Sequence, residues 1–237
     1  MKIEYAQQLL SKVRDDYNEI AEEFSKTRSG PWPEIQFVFD HYLQKGDKVL
    51  DLGCGNGRFL PAIRERGGRY FGIDNSTELI KIAQSRYPNE NFQVADALDL
   101  PFANNFFDQV YCIAVLHHIP SKDLRLKALK QIKKVLKPGG NLILTVWQLK
   151  SKGGLNLLFE LSLILKYVIG RFIFRSGLDF RDVFEWWGKK TKRYYHCFSQ
   201  NELVGLVKEV GLELFKSGIV SNARSNRNNI YLIAKKQ

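Results

Sequence analysis

Residues 47–57, Asp-Lys-Val-Leu-Asp-Leu-Gly-Cys-Gly-Asn-Gly, constrain this chain more than any other stretch. A short apolar run bounded by acids reads as a buried strand. The glycines after it read as a loop that opens a helix, where a nucleotide-like ligand can touch backbone. Gly53, Gly55 and Gly57 carry no Cβ, so the turn can take unusual dihedrals and a ligand can approach the main chain closely. The spacing is G-x-G-x-G. A dinucleotide fold wants G-x-G-x-x-G with the pyrophosphate on the helix N-terminus, and the last glycine of that pattern is here Arg58, which argues against NAD or FAD.

Two further acids fall at expected strand ends. Asp74 closes the run Tyr70-Phe71-Gly72-Ile73, about twenty residues beyond the glycines, where a carboxylate accepts from ribose hydroxyls. Asp96 follows Phe92-Gln93-Val94-Ala95, where a carboxylate or neighbouring amide can meet an adenine amino group.

The 237 residues suit one α/β domain, residues 1–237, with an insertion at 150–192. Met1 to Phe24 is dotted with Asp15, Asp16, Glu19, Glu22 and Glu23 and has no apolar stretch of the kind export needs, so the expected address is cytoplasmic. Cys54, Cys112 and Cys197 are odd in number and far apart, which indicates neither a disulfide framework nor a metal site. The net charge of +11 is uneven: residues 1–120 hold 13 Lys and Arg against 17 Asp and Glu, whereas residues 121–237 hold 23 against 8. A basic second half fits a polyanionic partner such as a nucleic acid; a solvated lysine surface and an anionic membrane surface are the alternatives.

Periodicity predicts an amphipathic helix over 6–24, a Gly/Pro-rich loop presenting Arg28 and Trp32, and a helix over 34–42. Strands at 48–52, 69–73, 92–95, 107–113 and 141–147 then alternate with helices at 57–66, from an Asn75 cap, and at 123–136. Lys137-Pro-Gly-Gly reads as the turn before the fifth strand, and a Ser199-capped helix ending at Gly211 leads to strands 212–219 and 229–235. Such alternation implies a doubly wound, mostly parallel sheet with helices on both faces. Residues 155–174 are apolar but interrupted by Glu160, Lys166 and Arg171, each of which would cost roughly 2.5–3.5 kcal/mol at a bilayer centre. The expectation is a buried or interfacial helix acting as a lid and no transmembrane segment, with membrane-surface contact a lesser alternative.

On Val49–Gly57, Gly72–Ser76, Ala95–Phe102, Phe107–His118 and Leu136–Gly140 the chain resembles the class I S-adenosylmethionine-dependent methyltransferases. The resemblance implies a Rossmann-like, seven-stranded α/β sheet, with the apolar helical insertion following its fifth strand. It also implies S-adenosyl-L-methionine as cofactor and no metal. Asp51 and the Gly53 and Gly55 backbone would hold the methionine end, Asp74 the ribose, and Asp96 with Ala97 the adenine.

A narrower resemblance lies in the loops. Tyr17–Pro33, Cys112–Pro120, Arg181–Gly188 and Arg193–Phe198 are similar to the tRNA wobble-uridine carboxymethyl methyltransferases, a family including the fungal enzyme and the methyltransferase domain of the animal AlkB-type tRNA hydroxylase. It implies esterification of 5-carboxymethyluridine at tRNA position 34 in the anticodon loop, and a small zinc-binding activator subunit as partner. Arg28 and Arg193 are then candidates to fork onto the acceptor carboxylate or a phosphate, and His117 and His196 to orient the uracil or carboxylate. Trp32, Tyr194 or Trp187 could stack on a splayed base, although packing is the plainer reading of Trp186 and Trp187. The rivals are a class I enzyme acting on a small or lipid-like acceptor, such as a quinone precursor, and a non-catalytic cofactor-binding RNA module.

Overall fold

A computed structural model of the chain describes residues 1–148, 161–162, 164–165, 168–170, 177–222 and 227–237. Its main sheet has the strand order β3-β2-β1-β4-β5-β9-β8. The strands are β1 (Lys48–Leu52), β2 (Arg69–Asp74), β3 (Asn91–Val94), β4 (Phe107–Ile113), β5 (Leu136–Gln148), β8 (Glu213–Asn222) and β9 (Arg227–Lys235). β1 to β5 are parallel, and β9 runs antiparallel between β5 and β8. The order reverses between β1 and β4, the switch point at which open α/β sheets bind ligands beyond the carboxyl ends of their strands.

Alternation builds the two faces. Val110 and Cys112 of β4 join Leu142 and Leu144 of β5 in one apolar cluster, while Tyr111, Ile113 and Ile143 join the opposite one. Helix α6 (Lys122–Val135) and α7 (Gln200–Glu209) cover the first face; α3 (Gln36–Tyr42), α4 (Leu60–Glu65) and α5 (Thr77–Arg86) cover the second. Both faces are therefore buried, which is why the central strands read as nearly continuous apolar runs.

Several boundaries differ from the expectations. The first helix is broken at Ile20 into α1 (Ile3–Glu19) and α2 (Ala21–Lys26). The cap of α5 is Ser76, whose hydroxyl accepts from Leu79 N, rather than Asn75. Lys137-Pro-Gly-Gly does not precede β5 but bulges within it: pairing with β4 jumps from Phe107↔Leu136 to Gln109↔Asn141. Ser199 does cap α7, accepting from Glu202 N, and Gly211 ends it with φ +72°.

A second, two-stranded sheet was not foreseen. β6 (Asp182–Trp187) and β7 (Thr191–His196) form an antiparallel hairpin whose turn begins at Gly188 with φ +56°. Its β7 strand packs on α1, with Tyr194 against Leu9 and Val13. Thr191 Oγ1 donates to Asp16 at 2.6 Å, and Lys190 pairs with Glu23. The N-terminal helices and the hairpin thus make one layer over the carboxyl ends of the sheet. Of the apolar insertion, the described residues between 161 and 170 are helical, with Leu161, Ile164, Leu165 and Val168 exposed; the rest of that expectation lies outside the described residues. No helix among the described residues is long and apolar enough to cross a membrane.

Candidate functional site

A cleft opens beyond β1 and β4, holding about 1040 Å³ of empty space when its solvent-open mouth is included. Leu52–Gly55, Arg58, Asp74, Asn75 and Ala95–Leu98 form its floor, and Ile113–Val115, His118, Ile119 and Trp147 its far wall. Leu10, Val13, Tyr17, Phe24, Arg28, Trp32 and Arg193 close it from the N-terminal and hairpin layer.

The glycine loop works by making room. Gly53, Gly55 and Gly57 all have positive φ, and a Cβ on Gly53 would stand 2.3 Å from a Val115 methyl. The amides of the first two are already engaged: Gly53 N donates to Ile73 O at 2.8 Å and Gly55 N to Asp74 Oδ2 at 2.9 Å. With those amides engaged, the backbone that the glycines offer a ligand is their carbonyls and the space above them. Asn56 fastens this loop to the cover above, its Nδ2 donating to Ser25 Oγ at 3.0 Å and Arg28 O at 2.9 Å.

The acids occupy distinct environments. Asp74 is braced by Gly55 N and by Ser76 N at 2.9 Å, which leaves a second lone pair on each oxygen. Burial nonetheless raises its pKa. Asp96 Oδ1 accepts from Leu98 N, holding the turn that presents Ala97 to the cavity. Asp51 is 1% exposed and sits just behind the lining. Tyr70 OH donates to its Oδ2 at 2.7 Å, while its buried Oδ1 has no partner among the described residues. Burial pushes its pKa up to about 7 against the opposing pull of that hydroxyl and of Arg58. Arg58 is itself an orphan: it lies under the Trp32 ring at 4.5 Å, its buried Nη1 is unpartnered among the described residues, and burial first, then the charge of Arg28, lowers its pKa to about 10. A buried guanidinium N–H in the cleft and a buried carboxylate oxygen just behind its lining fit a ligand end bearing both an ammonium and a carboxylate.

At the opposite end stands Arg193. It is 4% exposed, caged by the rings of Trp187 (4.5 Å), Tyr195 (5.1 Å), Tyr17 (5.4 Å) and Trp147 (5.9 Å). Its Nη1 donates to Tyr17 OH at 2.8 Å, and no ion pair to it is present among the described residues. Arg28 also lines the cavity, its guanidinium 5.6 Å from the Trp187 ring and 5.5 Å from Phe24. Trp187 is thus a wall of this cage, whereas Trp186 does not pack as expected and is 58% exposed.

Neither of the two histidines expected at the acceptor lines the cavity. His117 is fully buried, accepts from Trp147 N at 3.2 Å and lies between Trp147 and Tyr195; burial holds its pKa well below the usual range. His196 bonds Asp182 Oδ1 and Glu202 Oε1, both at 2.7 Å, and so pins the hairpin to α7. The ring thereby bridges two carboxylates from two different elements, a structural role. The imidazole that does reach the wall is His118, whose pKa burial, aided by Arg193, pushes down to about 3. The sequence reading passed over Tyr17, Arg58 and His118; the adjacent pair His117-His118 was the available signal, but nothing local says which ring turns inward.

The family model for a methyltransferase domain matches residues 50–144. The tRNA (carboxymethyluridine(34)-5-O)-methyltransferase of Schizosaccharomyces pombe is 30% identical over 244 residues, covering 100% of both chains. That of Arabidopsis thaliana is 40% identical over 131 residues, 55% of this chain and 31% of the relative, so this chain spans about a third of the plant protein's length. A solved S-adenosylmethionine-dependent methyltransferase from Methanosarcina mazei superposes with a TM-score of 0.70 at 25% identity, covering 87% of this chain and 98% of that one. This chain is a class I S-adenosylmethionine-dependent methyltransferase and belongs to the tRNA (carboxymethyluridine(34)-5-O)-methyltransferase family.

Proposed function

We propose that this enzyme methylates the carboxylate of 5-carboxymethyluridine at position 34 of tRNA, giving the methyl ester. The observation that carries the reading is Arg193, a ring-caged cation on the cavity wall with no ion pair among the described residues. When bound, S-adenosylmethionine supplies a methyl group on a positively charged sulfur. Asp51 and Arg58 would hold its amino-acid end, Asp74 its ribose, and Asp96 with Ala97 its adenine. Arg193 and Arg28 would take the acceptor carboxylate or a neighbouring phosphate, while His117 and His196 hold the frame from behind.

Among the described residues no competent base stands on the acceptor side, which supports the choice of acceptor. A carboxylic acid with a pKa of roughly 4 arrives ionised at neutral pH and needs no proton removed. A neutral phenol or amide would need a base, and His118, with its pKa near 3, is a poor one. What the residues supply is alignment of an oxygen lone pair with the methyl group, the term worth most in such a transfer. The finer partner assignment, a small zinc-binding activator subunit, rests on the family resemblance.

The purified protein with labelled S-adenosylmethionine is expected to esterify tRNA carrying carboxymethyluridine and not tRNA lacking it. Arg193→Ala should abolish transfer while changing S-adenosylhomocysteine affinity less than about threefold. Failure on tRNA together with transfer to small lipophilic acids or phenols would overturn the assignment in favour of the small-acceptor rival.

A further inference from the structure

Tyr17 stands between two groups that each fix one side of its hydroxyl. His118 Nδ1 lies 3.0 Å from Tyr194 O, and a carbonyl can only accept, so Nδ1 carries the hydrogen. The ring is deeply buried and stays neutral at physiological pH, so Nε2 is a bare lone pair. Nε2 lies 2.8 Å from Tyr17 OH. The phenol hydrogen therefore points at His118, and the phenol oxygen turns its lone pairs to Arg193 Nη1, also at 2.8 Å. Only one set of donors and acceptors satisfies all three contacts. Without it, the Arg193 cage is made of ring faces, which attract a guanidinium but do not fix its rotation.

We propose that Tyr17 is a positioning residue for methyl transfer: with its hydroxyl locked by His118, it sets the rotation of the Arg193 guanidinium so that the remaining N–H fork faces the incoming carboxylate. The inference rests on the reading of Arg193 as the acceptor's anchor. Bidentate recognition of a carboxylate depends on the plane of the fork, so a guanidinium free to swivel binds the same anion less often in the reactive pose.

The test is a double-variant cycle on the full-length protein with carboxymethyluridine tRNA. Tyr17→Phe removes one hydrogen bond to a charged group, and kcat/KM is expected to fall about ten- to hundredfold. S-adenosylhomocysteine affinity, read by calorimetry, is expected to stay within about twofold, which also reports that the variant is folded. In an Arg193→Lys background, where no fork remains to be oriented, Tyr17→Phe is expected to cost less than about threefold more. His118→Asn, which keeps an N–H for Tyr194 O but removes the acceptor for Tyr17, should lose activity in the same direction and by less. The proposal is overturned if Tyr17→Phe leaves kcat/KM within threefold of the parent, or if the losses multiply in the double variant. If Arg193→Ala itself transfers normally, the anchor reading fails and this inference with it; if only Tyr17→Phe is silent, the anchor stands and the inference alone falls.

Discussion

Replacing Asp51 by asparagine should make the cofactor-free protein more stable at pH 8 and make it a poorer binder of S-adenosylhomocysteine. The carboxyl is buried, one oxygen is held by Tyr70 and the other is unpartnered among the described residues. Its pKa of about 7, against an ordinary 3.8, means that folding favours the protonated form. The stability this group contributes is therefore fully present below about pH 3.8, declines as pH rises, and is lost once pH has passed through about 7. Three units correspond to about 4 kcal/mol of cost at pH 8. Asparagine keeps an acceptor for Tyr70 and carries no charge, but it buries an amide N–H₂ at a cost of about 1–3 kcal/mol. The expected net gain is about 1–3 kcal/mol at pH 8, shrinking by about 1.4 kcal/mol per unit below pH 7 and gone near pH 5. Urea melts of both proteins without cofactor at pH 5 and pH 8 measure it. Calorimetric titration should show S-adenosylhomocysteine bound about ten- to hundredfold more weakly, since a charge-assisted contact to its ammonium is lost. Equal destabilisation at both pH values, or unchanged affinity, would refute the reasoning.

Gly53→Ala places a methyl on a residue with φ +74° and within 2.3 Å of Val115; urea unfolding should show a loss of at least about 2 kcal/mol, and no loss would mean the loop tolerates displacement. His196→Leu takes the shared ring partner from Asp182 and Glu202, leaving Asp182 only Tyr194 OH and Asp179 N, and Glu202 is held below its usual pKa by His196 despite the opposing effect of burial. A loss of about 3 kcal/mol in unfolding is expected with cofactor affinity unchanged, and a selective loss of methyl transfer in a stably folded variant would return His196 to the active site.

The sheet was legible because its constraints are local: the glycines of residues 53–57 announce a close backbone approach, and alternating apolar runs set strands and helices. The hairpin was not, for two reasons. Its turn, Gly188-Lys-Lys, lacks the Asn-Gly signature, and its strands are stabilised by Asp16 and α1, far away in sequence. The same distance explains His196. As a lone histidine beside Arg193-Tyr-Tyr it reads as a ligand, and only strand pairing, which sets Asp182 opposite it, reveals a buried hydrogen bond. His117 and His118 differ by a rotation within one short 3-10 turn, and that rotation is fixed by Trp147 N and Tyr194 O.

The layer over the cavity is sewn from two distant stretches, residues 10–32 and Arg193, while the floor comes from between them. During synthesis the floor leaves the ribosome well before its ceiling is complete. Arg193 is made late, so the ceiling closes over the floor only after the last third of the polypeptide has folded back onto the first helix.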